Sequence, residues 1–393
     1  MERTQVGIVG AGPAGLLLAH LLRTEGIDAV VLEARSREYV EQRVRAGVCE
    51  HTTVALLRDL GLAGRLDREG LPHEGFALRF DGADHRIDLA ALTGHSITVY
   101  GQQEIVKDLI EARLATGHGI EFEAADVALH DLESEAPRIT WTDHTGAARE
   151  LRCDVIAGCD GFHGVSRPAI PAALLTSYDY TYPFAWLGVL ARTPPSSEEL
   201  IYARHERGFA LHSMRSPGIT RLYLQVDPAE RLADWSDARI WDELAARFAV
   251  DDAGFTLREG PLLEKGITPM RSFVTETMRY GRLFLAGDAA HIVPPTGAKG
   301  MNLAVADVRR LAPALVALLR KNDPAAADSY AEQCLRRVWR AEHFSYFMTT
   351  MLHRAPGAHP FTDRLQLSQL RYVASSTAAA TSLAENYVGL PFD

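Results

Sequence analysis

A glycine-rich turn near the N-terminus constrains the fold more than any other stretch of this chain of 393 residues. The segment GIVGAGPAG separates an apolar strand pattern at 6–9 from residues 14–24, which have helical spacing. Its GxGxxG glycines are Gly10, Gly12 and Gly15. In this spacing the glycines permit a tight turn, the approach of backbone to a pyrophosphate, and close packing of helix on strand. Glu33 ends the next apolar strand, where a carboxylate accepts a ribose hydroxyl, so the stretch predicts a βαβ unit that binds NAD(P) or FAD.

Composition excludes several classes of protein. The formal net charge of -10 gives no indication of a general nucleic-acid or anionic-membrane binder. No run approaches the roughly 18 consecutive apolar residues of a membrane span. The four cysteines form no CxxC pair and the fifteen histidines form no HExxH motif, so we expect no metal site and a reducing, cytoplasmic location.

Strand-rich segments interrupt the α/β pattern. Strand-like patterns run through 76–99 and 184–226, strand-to-loop junctions at 153–161 and 282–290 resume the α/β character, and the chain from Met301 is mostly helical. We therefore predict an α/β fold, with a Rossmann-like nucleotide-binding domain, an inserted β-sheet domain and C-terminal helices. The predicted bounds are 1–72, 98–177 and 268–349 for the discontinuous nucleotide-binding domain, 73–97 and 178–267 for the sheet domain, and 350–393 for the C-terminal helical segment.

The segment GDAAHIVPPTGAKGMN, residues 287–302, carries very little side-chain volume. Its three glycines and two adjacent prolines disfavour both helix and strand interiors. Such a segment is either a long surface turn or a place where backbone approaches something large and flat.

Three motifs together decide between these alternatives. GIVGAGPAG, AGCDGFHGVSR and GDAAHIVPPTGAKGMN resemble the three nucleotide fingerprints of the single-component flavin-dependent aromatic hydroxylases. RAGVCE, VYGQ and AENYVGLP extend the resemblance over essentially the whole chain. The resemblance implies an FAD-binding domain of glutathione-reductase type, bound FAD, and NADPH or NADH and O2 as co-substrates. It also implies a homodimer and a small aromatic acid as substrate.

Within the family, the motifs are most similar to those of members that hydroxylate 4-hydroxybenzoate to 3,4-dihydroxybenzoate. A shifted substrate, such as 3,4-dihydroxybenzoate or an aminobenzoate, remains an alternative, as does a non-catalytic flavin-binding sensor. A related halogenase is disfavoured because no WxW occurs among the five tryptophans.

The resemblance assigns the FAD contacts by position in these motifs. They are Gly10, Gly12, Gly15, Glu33, Arg45, Gln102, Asp288, Gly300 and Asn302. Asp288 can hold a ribityl or ribose hydroxyl, and residues 294–300 can lay backbone amides along the flavin ring. The helix that begins near Met301 would aim its N-terminus at the pyrimidine edge, where Lys299 adds positive charge.

The predicted substrate site has two ends. At the carboxylate end, the resemblance implies a clamp of Ser213, Arg215 and Tyr223, and the planar fork of arginine can bind both carboxylate oxygens. At the phenol end it implies a proton path and one main-chain acceptor. The path runs through Tyr202, Tyr387 and a more exposed His73, and the acceptor is the carbonyl of Pro295.

No second GxGxxG is available for the nicotinamide donor, which in this family docks on the surface. The matching residues here are Arg35, Tyr39, Arg43, Arg45, His163, Arg167 and Arg271. Arg35, Arg37 and Tyr39 favour NADPH. Ala34 stands where the best-known NADPH-specific relative has Arg, so use of NADH stays open.

Overall fold

The computed structural model describes residues 2–43, 47–251 and 254–392. Its strands are β1 (Glu2–Val9), β2 (Ala29–Leu32), β3 (Val48–Cys49), β4 (Leu71–His73), β5 (Gly75–Phe80), β6 (Ala83–Asp88), β7 (Ile97–Val99), β8 (Ile120–Glu121), β9 (Ala125–His130), β10 (Arg138–Thr142), β11 (Ala148–Gly158), β12 (Ser177–Ala191), β13 (Leu200–His205), β14 (Gly208–Ser216), β15 (Ile219–Val226), β16 (Leu262–Thr275), β17 (Arg279–Tyr280), β18 (Leu283–Leu285) and β19 (His291–Ile292). Its helices are α1 (Pro13–Thr24), α2 (Arg37–Gln42), α3 (His51–Asp59), α4 (Leu66–Glu69), α5 (Leu89–Thr93), α6 (Gln102–Leu114), α7 (Asp237–Arg247), α8 (Gly300–Lys321), α9 (Ala325–Asp328), α10 (Tyr330–Leu352), α11 (Pro360–Ser375) and α12 (Thr377–Val388).

The first sheet contains the predicted nucleotide-binding unit. Its order is β17-β18-β11-β1-β2-β8, and the strands from β18 to β8 are parallel, with Val6 opposite Val155 where β1 meets β11. β2 (AVVL) and β18 (LFL) are continuous apolar runs, as is typical of a parallel sheet that helices cover. Leu18 of α1 and Leu311 of α8 belong to the same buried cluster as Ile8 of β1. The predicted βαβ unit is therefore present.

The second sheet carries most of the residues that are predicted to bind the substrate. Its order is β19-β16-β12-β15-β14-β13-β5-β6, antiparallel except where β13 runs parallel to β5. Successive side chains alternate between its faces. Ala185 and Leu187 join a cluster beneath α7, whereas Phe184 and Trp186 join one shared with the C-terminal helices. The face that packs against those helices also holds the candidate site.

This architecture confirms the predicted α/β fold class, with a second sheet and helices that follow Gly300. The domain bounds stay predictions, and two of them, at 177–178 and 267–268, fall inside the long strands β12 and β16. In the described part of the chain, no helix combines the length and apolar character that a membrane crossing requires.

The cysteines are buried and unpaired. They are Cys49, Cys153, Cys159 and Cys334. Burial raises the pKa of each thiol. All four thiols are therefore protonated over the working pH range.

Candidate active site

The glycine turn is shaped by contacts that only glycine allows. Gly10 has a φ of 106°, and a Cβ on it would lie 2.3 Å from the carbonyl oxygen of Cys159. A Cβ on Gly15 would lie 2.0 Å from the carbonyl oxygen of Gly10. The position of a Cβ on Gly12, by contrast, has no heavy atom within 4 Å, so the N-terminus of α1 opens onto free space. A pyrophosphate fits there, against backbone N–H groups that have no acceptor inside the helix.

Glu33 connects this turn to the end of β2. One carboxylate oxygen accepts the N–H of Ala11 at 2.8 Å, and the other accepts the N–H of Arg35 at 2.9 Å. A carboxylate has about four acceptor positions, so capacity remains for the ribose hydroxyls of a dinucleotide. The geometry thus fits the predicted role.

The small-residue segment folds into two 3-10 turns followed by a helix N-terminus. The turns are Gly287–Ala289, which contains the exposed Asp288, and Pro295–Gly297. Ala298 has a φ of 53°. Helix α8 then begins at Gly300, so that its first amide groups point away from the helix body. The segment presents main chain and small side chains, as a planar ring resting against it requires.

Asn302 is engaged by protein on all sides. Its Oδ1 accepts from the N–H of Glu50 at 3.0 Å and from the hydroxyl of Thr53 at 2.8 Å. Its Nδ2 donates to the carbonyls of Val48 and Ala298, each at 3.0 Å. The side chain therefore connects the start of α8 to β3 and α3. The backbone N–H of Asn302 is then the group left for the predicted contact with FAD.

Lys299 is not an isolated positive charge. Its Nζ lies 2.7 Å from Oε1 of the buried Glu50 and donates to the carbonyl of Tyr387 at 3.1 Å. Arg337 lies 3.2 Å from the other oxygen of Glu50, so two cations share one carboxylate. Burial lowers the pKa of Lys299, and Glu50 opposes that shift. Sequence reasoning missed Glu50 and Arg337, although Glu50 ends the quoted motif RAGVCE.

The predicted carboxylate clamp is assembled on β14 and β15. Arg215 Nη1 donates to Ser213 Oγ and to the carbonyl of Met214, both at 2.9 Å, and its Nη2 lies 3.4 Å from Tyr223 Oη. Its Nε is buried with no partner. Among the described residues no carboxylate pairs with Arg215, and burial lowers its pKa. A desolvated cation without a counter-ion is unfavourable until an anion binds.

The predicted phenol end is a pair of tyrosines. The hydroxyl oxygens of Tyr202 and Tyr387 lie 2.6 Å apart, and the two residues are 2% and 1% exposed. Phe76 packs against both rings. Burial raises the pKa of both phenols, so the pair is neutral and can pass a proton without carrying charge.

The predicted exposure of His73 is wrong. His73 is 1% exposed, because β4 pairs with β7 and places it opposite Ile97 in the interior. Neither ring nitrogen has a partner, and burial lowers its pKa to about 4. No hydrogen bond joins it to Tyr202 or Tyr387 in the described structure, so a proton path through His73 would need an intervening water.

Two further predicted residues have simpler surroundings. The carbonyl of Pro295 accepts the N–H of Ala298 at 3.0 Å, which leaves one lone pair for a ligand hydroxyl. Gln102 is half-buried at the first residue of α6. Arg45 lies outside the described residues.

The predicted nicotinamide-donor residues form two basic groups. In the first, the guanidinium groups of Arg35 and Arg43 lie 5.4 and 5.7 Å from the ring centre of the exposed Tyr39. The second group consists of the exposed His163, whose ring lies edge-on to that of Phe162, and the two arginines Arg167 and Arg271.

The ring of Phe162 organises that second group. The guanidinium groups of Arg167 and Arg271 each lie 4.5 Å from its centre. Arg167 also donates to the carbonyl of Ala289 at 2.9 Å, beside Asp288, and Arg271 pairs with Asp179 at 2.6 Å. Sequence reasoning missed Phe162 as the common support of these cations.

Comparison with known proteins identifies the class. The family described as the FAD binding domain matches residues 3–345, and the chain belongs to this family. It is an FAD-dependent aromatic hydroxylase, and NAD(P)H and O2 are the co-substrates of this class of monooxygenase. The chain is 48% identical over 392 residues to the p-hydroxybenzoate hydroxylase of Acinetobacter baylyi, over 100% of this chain and 96% of that protein. The predicted family and the FAD cofactor are thereby confirmed.

Solved structures share the fold. The p-nitrophenol 4-monooxygenase of Pseudomonas putida has a TM-score of 0.85 at 21% identity, over 100% of both chains. Aklavinone-11 hydroxylase, in a complex with FAD and aklavinone, has a TM-score of 0.75 at 22% identity, over 90% of this chain and 70% of that chain. At these identities the likeness concerns the fold alone.

Proposed function

We propose that this protein hydroxylates 4-hydroxybenzoate at the ring carbon next to the phenol, giving 3,4-dihydroxybenzoate. The observation that carries this proposal is the half-buried guanidinium of Arg215, which has a buried, unpartnered Nε and no anionic partner among the described residues. It lies on the same sheet as Tyr202, whose hydroxyl pairs with that of Tyr387 from α12. A para-hydroxylated benzoate has an anion for the first and a phenol for the second. The name of the relative from Acinetobacter baylyi agrees with this substrate.

Arg215 binds the substrate carboxylate in this proposal. Its unpartnered Nε and its Nη2 form one edge of the guanidinium fork, which matches two carboxylate oxygens. Ser213 and Tyr223 hold the fork in place and supply further hydroxyl groups. The carboxylate thereby neutralises a half-buried cation that has no carboxylate partner among the described residues.

Tyr202 accepts the hydrogen bond, and finally the proton, of the substrate phenol. The resulting oxyanion pushes electron density into the ring carbon that is hydroxylated. As Tyr202 takes up this proton, it gives its own hydroxyl proton to Tyr387, and Tyr387 passes one on through a water to His73 and from there to solvent. The carbonyl of Pro295 orients the substrate hydroxyl from the other side. Bound FAD would supply the redox chemistry, which is hydride uptake from NAD(P)H and activation of O2. The protein's part is orientation, proton transfer and exclusion of water.

The remaining binding roles follow the sequence prediction. Gly10, Gly12, Gly15, Glu33, Arg45, Gln102, Asp288, Gly300 and the backbone of Asn302 would hold FAD. Arg35, Tyr39, Arg43, His163, Arg167 and Arg271 would receive NADPH or NADH. A cytoplasmic homodimer is part of the same proposal, and light scattering after size-exclusion chromatography tests its mass.

The decisive experiment uses the purified FAD-loaded protein. NADPH or NADH oxidation is followed with 4-hydroxybenzoate, 3,4-dihydroxybenzoate, 4-aminobenzoate or no aromatic acid, and products are separated by chromatography. We expect 4-hydroxybenzoate to accelerate oxidation most and to yield 3,4-dihydroxybenzoate. Product from another acid alone would reassign the substrate, and FAD binding with no oxidation would indicate a sensor.

A further inference from the structure

One face of α10 lies between the two ends of the proposed site. Ser345, Thr349 and His353 follow each other at intervals of four residues, so they lie on one face of the helix and its C-terminal cap. Each is at most 1% exposed. We call these three residues the α10 stripe.

The stripe contacts the turn beside the predicted flavin position. The hydroxyls of Thr349 and Thr296 share a hydrogen bond of 2.9 Å, and Thr296 is the central residue of the turn Pro295–Gly297. A Cβ on Gly297 would lie 2.5 Å from Ser345 Oγ, so the turn packs directly on the helix. Any shift of Thr349 therefore moves the turn that presents the carbonyl of Pro295.

The other end of the stripe reaches the carboxylate clamp. The indole N–H of Trp186 donates to His353 Nε2 at 2.6 Å, and the ring centre of Trp186 lies 4.7 Å from that of Tyr223. Tyr223 in turn contacts Arg215. His353 is thus two side chains away from the guanidinium that binds the carboxylate in the proposed function.

His353 is locked in one chemical state. An indole only donates, so Nε2 must accept, and the proton resides on Nδ1, which lies 2.9 Å from the carbonyl of Thr349. The ring stacks on Phe184 and packs on Phe209, with centres 4.6 and 4.2 Å away. Burial lowers the pKa of His353 to about 3. The contact is therefore unchanged at any pH at which the enzyme works.

We propose that the α10 stripe is a positioning element that fixes the separation between the turn Pro295–Gly297 and the Arg215 clamp, and so the distance of the bound ring from the flavin. The inference rests on the proposed function. Its physical basis is the steep distance dependence of group transfer, for which a displacement of about 1 Å can lower the rate about a hundredfold. The hydrogen bonds of Thr349 and His353 go to protein atoms, so we assign the stripe a positioning role and not a catalytic one.

The test removes one hydroxyl from the stripe. Thr349→Val keeps the shape of the side chain but breaks the link to Thr296, and Thr349→Ser keeps the hydroxyl. Thr350→Val is the matched control, because Thr350 is the next residue, is exposed, and bonds only carbonyls of its own helix. Thr296→Val breaks the same link from the turn, in case Thr349→Val fails to fold.

Two quantities are measured for each FAD-loaded variant. The first is the dissociation constant of 4-hydroxybenzoate, together with the absorbance of the bound phenol, from an equilibrium titration without NAD(P)H. The second is the fraction of oxidised NAD(P)H that yields hydroxylated product, with hydrogen peroxide as the remainder. In Thr349→Val and Thr296→Val we expect a dissociation constant close to that of wild type, a shifted spectrum of the bound phenol, and a several-fold lower product fraction. Thr349→Ser and Thr350→Val should resemble wild type.

Two results would overturn the proposal. One is a wild-type product fraction in Thr349→Val and Thr296→Val, and the other is an equal loss in Thr350→Val. If wild type itself makes no product from 4-hydroxybenzoate, the proposed function fails instead, and the titration spectra of the same variants still decide whether the stripe positions the bound acid.

Discussion

The two ends of the proposed substrate site are built on opposite electrostatic principles. At one end Arg215 is a desolvated cation whose nearest partners are neutral, Ser213 and Tyr223. At the other, Tyr202 and Tyr387 are neutral and satisfy each other through one hydrogen bond. The first end lacks an anion and gains free energy when a carboxylate arrives. The second gains little from binding but can move a proton, so affinity and reactivity are separated along the length of the ligand.

The largest expected effect is on affinity, at the charged end. Arg215→Met should raise the dissociation constant of 4-hydroxybenzoate about a hundredfold, which corresponds to about 3 kcal/mol for losing the partner of a buried charge. The same variant should unfold at the same temperature as wild type or a higher one, because an uncompensated buried cation has been removed.

Binding titration and thermal unfolding measure these two effects. Arg207→Met is the control, since Arg207 is an exposed arginine of the β13–β14 hairpin that pairs with Glu243. An unchanged dissociation constant in Arg215→Met would remove Arg215 from the site and, with it, the contrast between the ends.

The next effect is on rate, at the neutral end. Tyr202→Phe should lower the hydroxylation rate about a hundredfold, because the proton acceptor for the phenol is lost. The dissociation constant should change by no more than about fivefold, the equivalent of one neutral hydrogen bond. Stopped-flow product formation and equilibrium titration separate the two quantities. Tyr182→Phe is the control, because it breaks the hydrogen bond of another buried phenol to Ser272, and it should change neither the rate nor the dissociation constant. Normal product formation in Tyr202→Phe would refute the role of Tyr202 as proton acceptor.

A third effect concerns stability near the neutral end. The pKa of His73 falls from 6.5 to about 4 on burial, so the unfolded chain takes up this proton first as the pH drops. The neutral form of His73 contributes fully to the free energy of unfolding above pH 6.5, and this contribution is lost as the pH falls toward 4. The total loss is about 3 kcal/mol. His73→Leu should therefore flatten the dependence of the unfolding free energy on pH between 6.5 and 4, as measured by denaturant titration. His163→Leu, at an exposed histidine, is the control. If the unfolding free energy of His73→Leu depends on pH as steeply as that of wild type, His73 is not a buried neutral imidazole.

The smallest effect is expected outside the pocket, where charges are solvated. Arg35→Ala should raise the KM for NADPH several-fold and leave that for NADH nearly unchanged, because Arg35 lies beside Tyr39 with no carboxylate partner among the described residues. Arg37→Ala should have a smaller effect, since Glu41 already pairs with Arg37 at 2.6 Å. Steady-state kinetics at low and high salt measure both variants, with the exposed Arg336→Ala as control. Equal changes in the KM values for NADPH and NADH would show that Arg35 does not bind the 2'-phosphate of NADPH.

The parts of the molecule that sequence predicted are those with local causes. Gly15 is required by its contact with Gly10 in the same turn, and the turn lies between the apolar end of β1 and the helical pattern of α1. The proximity of Ser213, Arg215 and Tyr223 also has a local cause, because β14 and β15 are neighbouring strands of one hairpin, and their role as a clamp stays a prediction from the resemblance.

The parts that sequence did not predict depend on distant partners. The burial of His73 arises when β4 pairs with β7, and the Glu50–Arg337 contact joins residues 287 positions apart. Local spacing gives no sign of either. The link between Thr349 and Thr296 is of the same kind, since a threonine in a helix usually bonds only its own helix.

The placement of the cysteines has a consequence for an enzyme of this class. Any turnover that fails to hydroxylate its substrate releases an oxidant inside the protein's own interior. Peroxide attacks the thiolate and not the thiol. The raised pKa values keep Cys49 and Cys159, which lie in the core cluster around β1, α1 and α8, in the thiol form. The four buried thiols are therefore poor targets for peroxide.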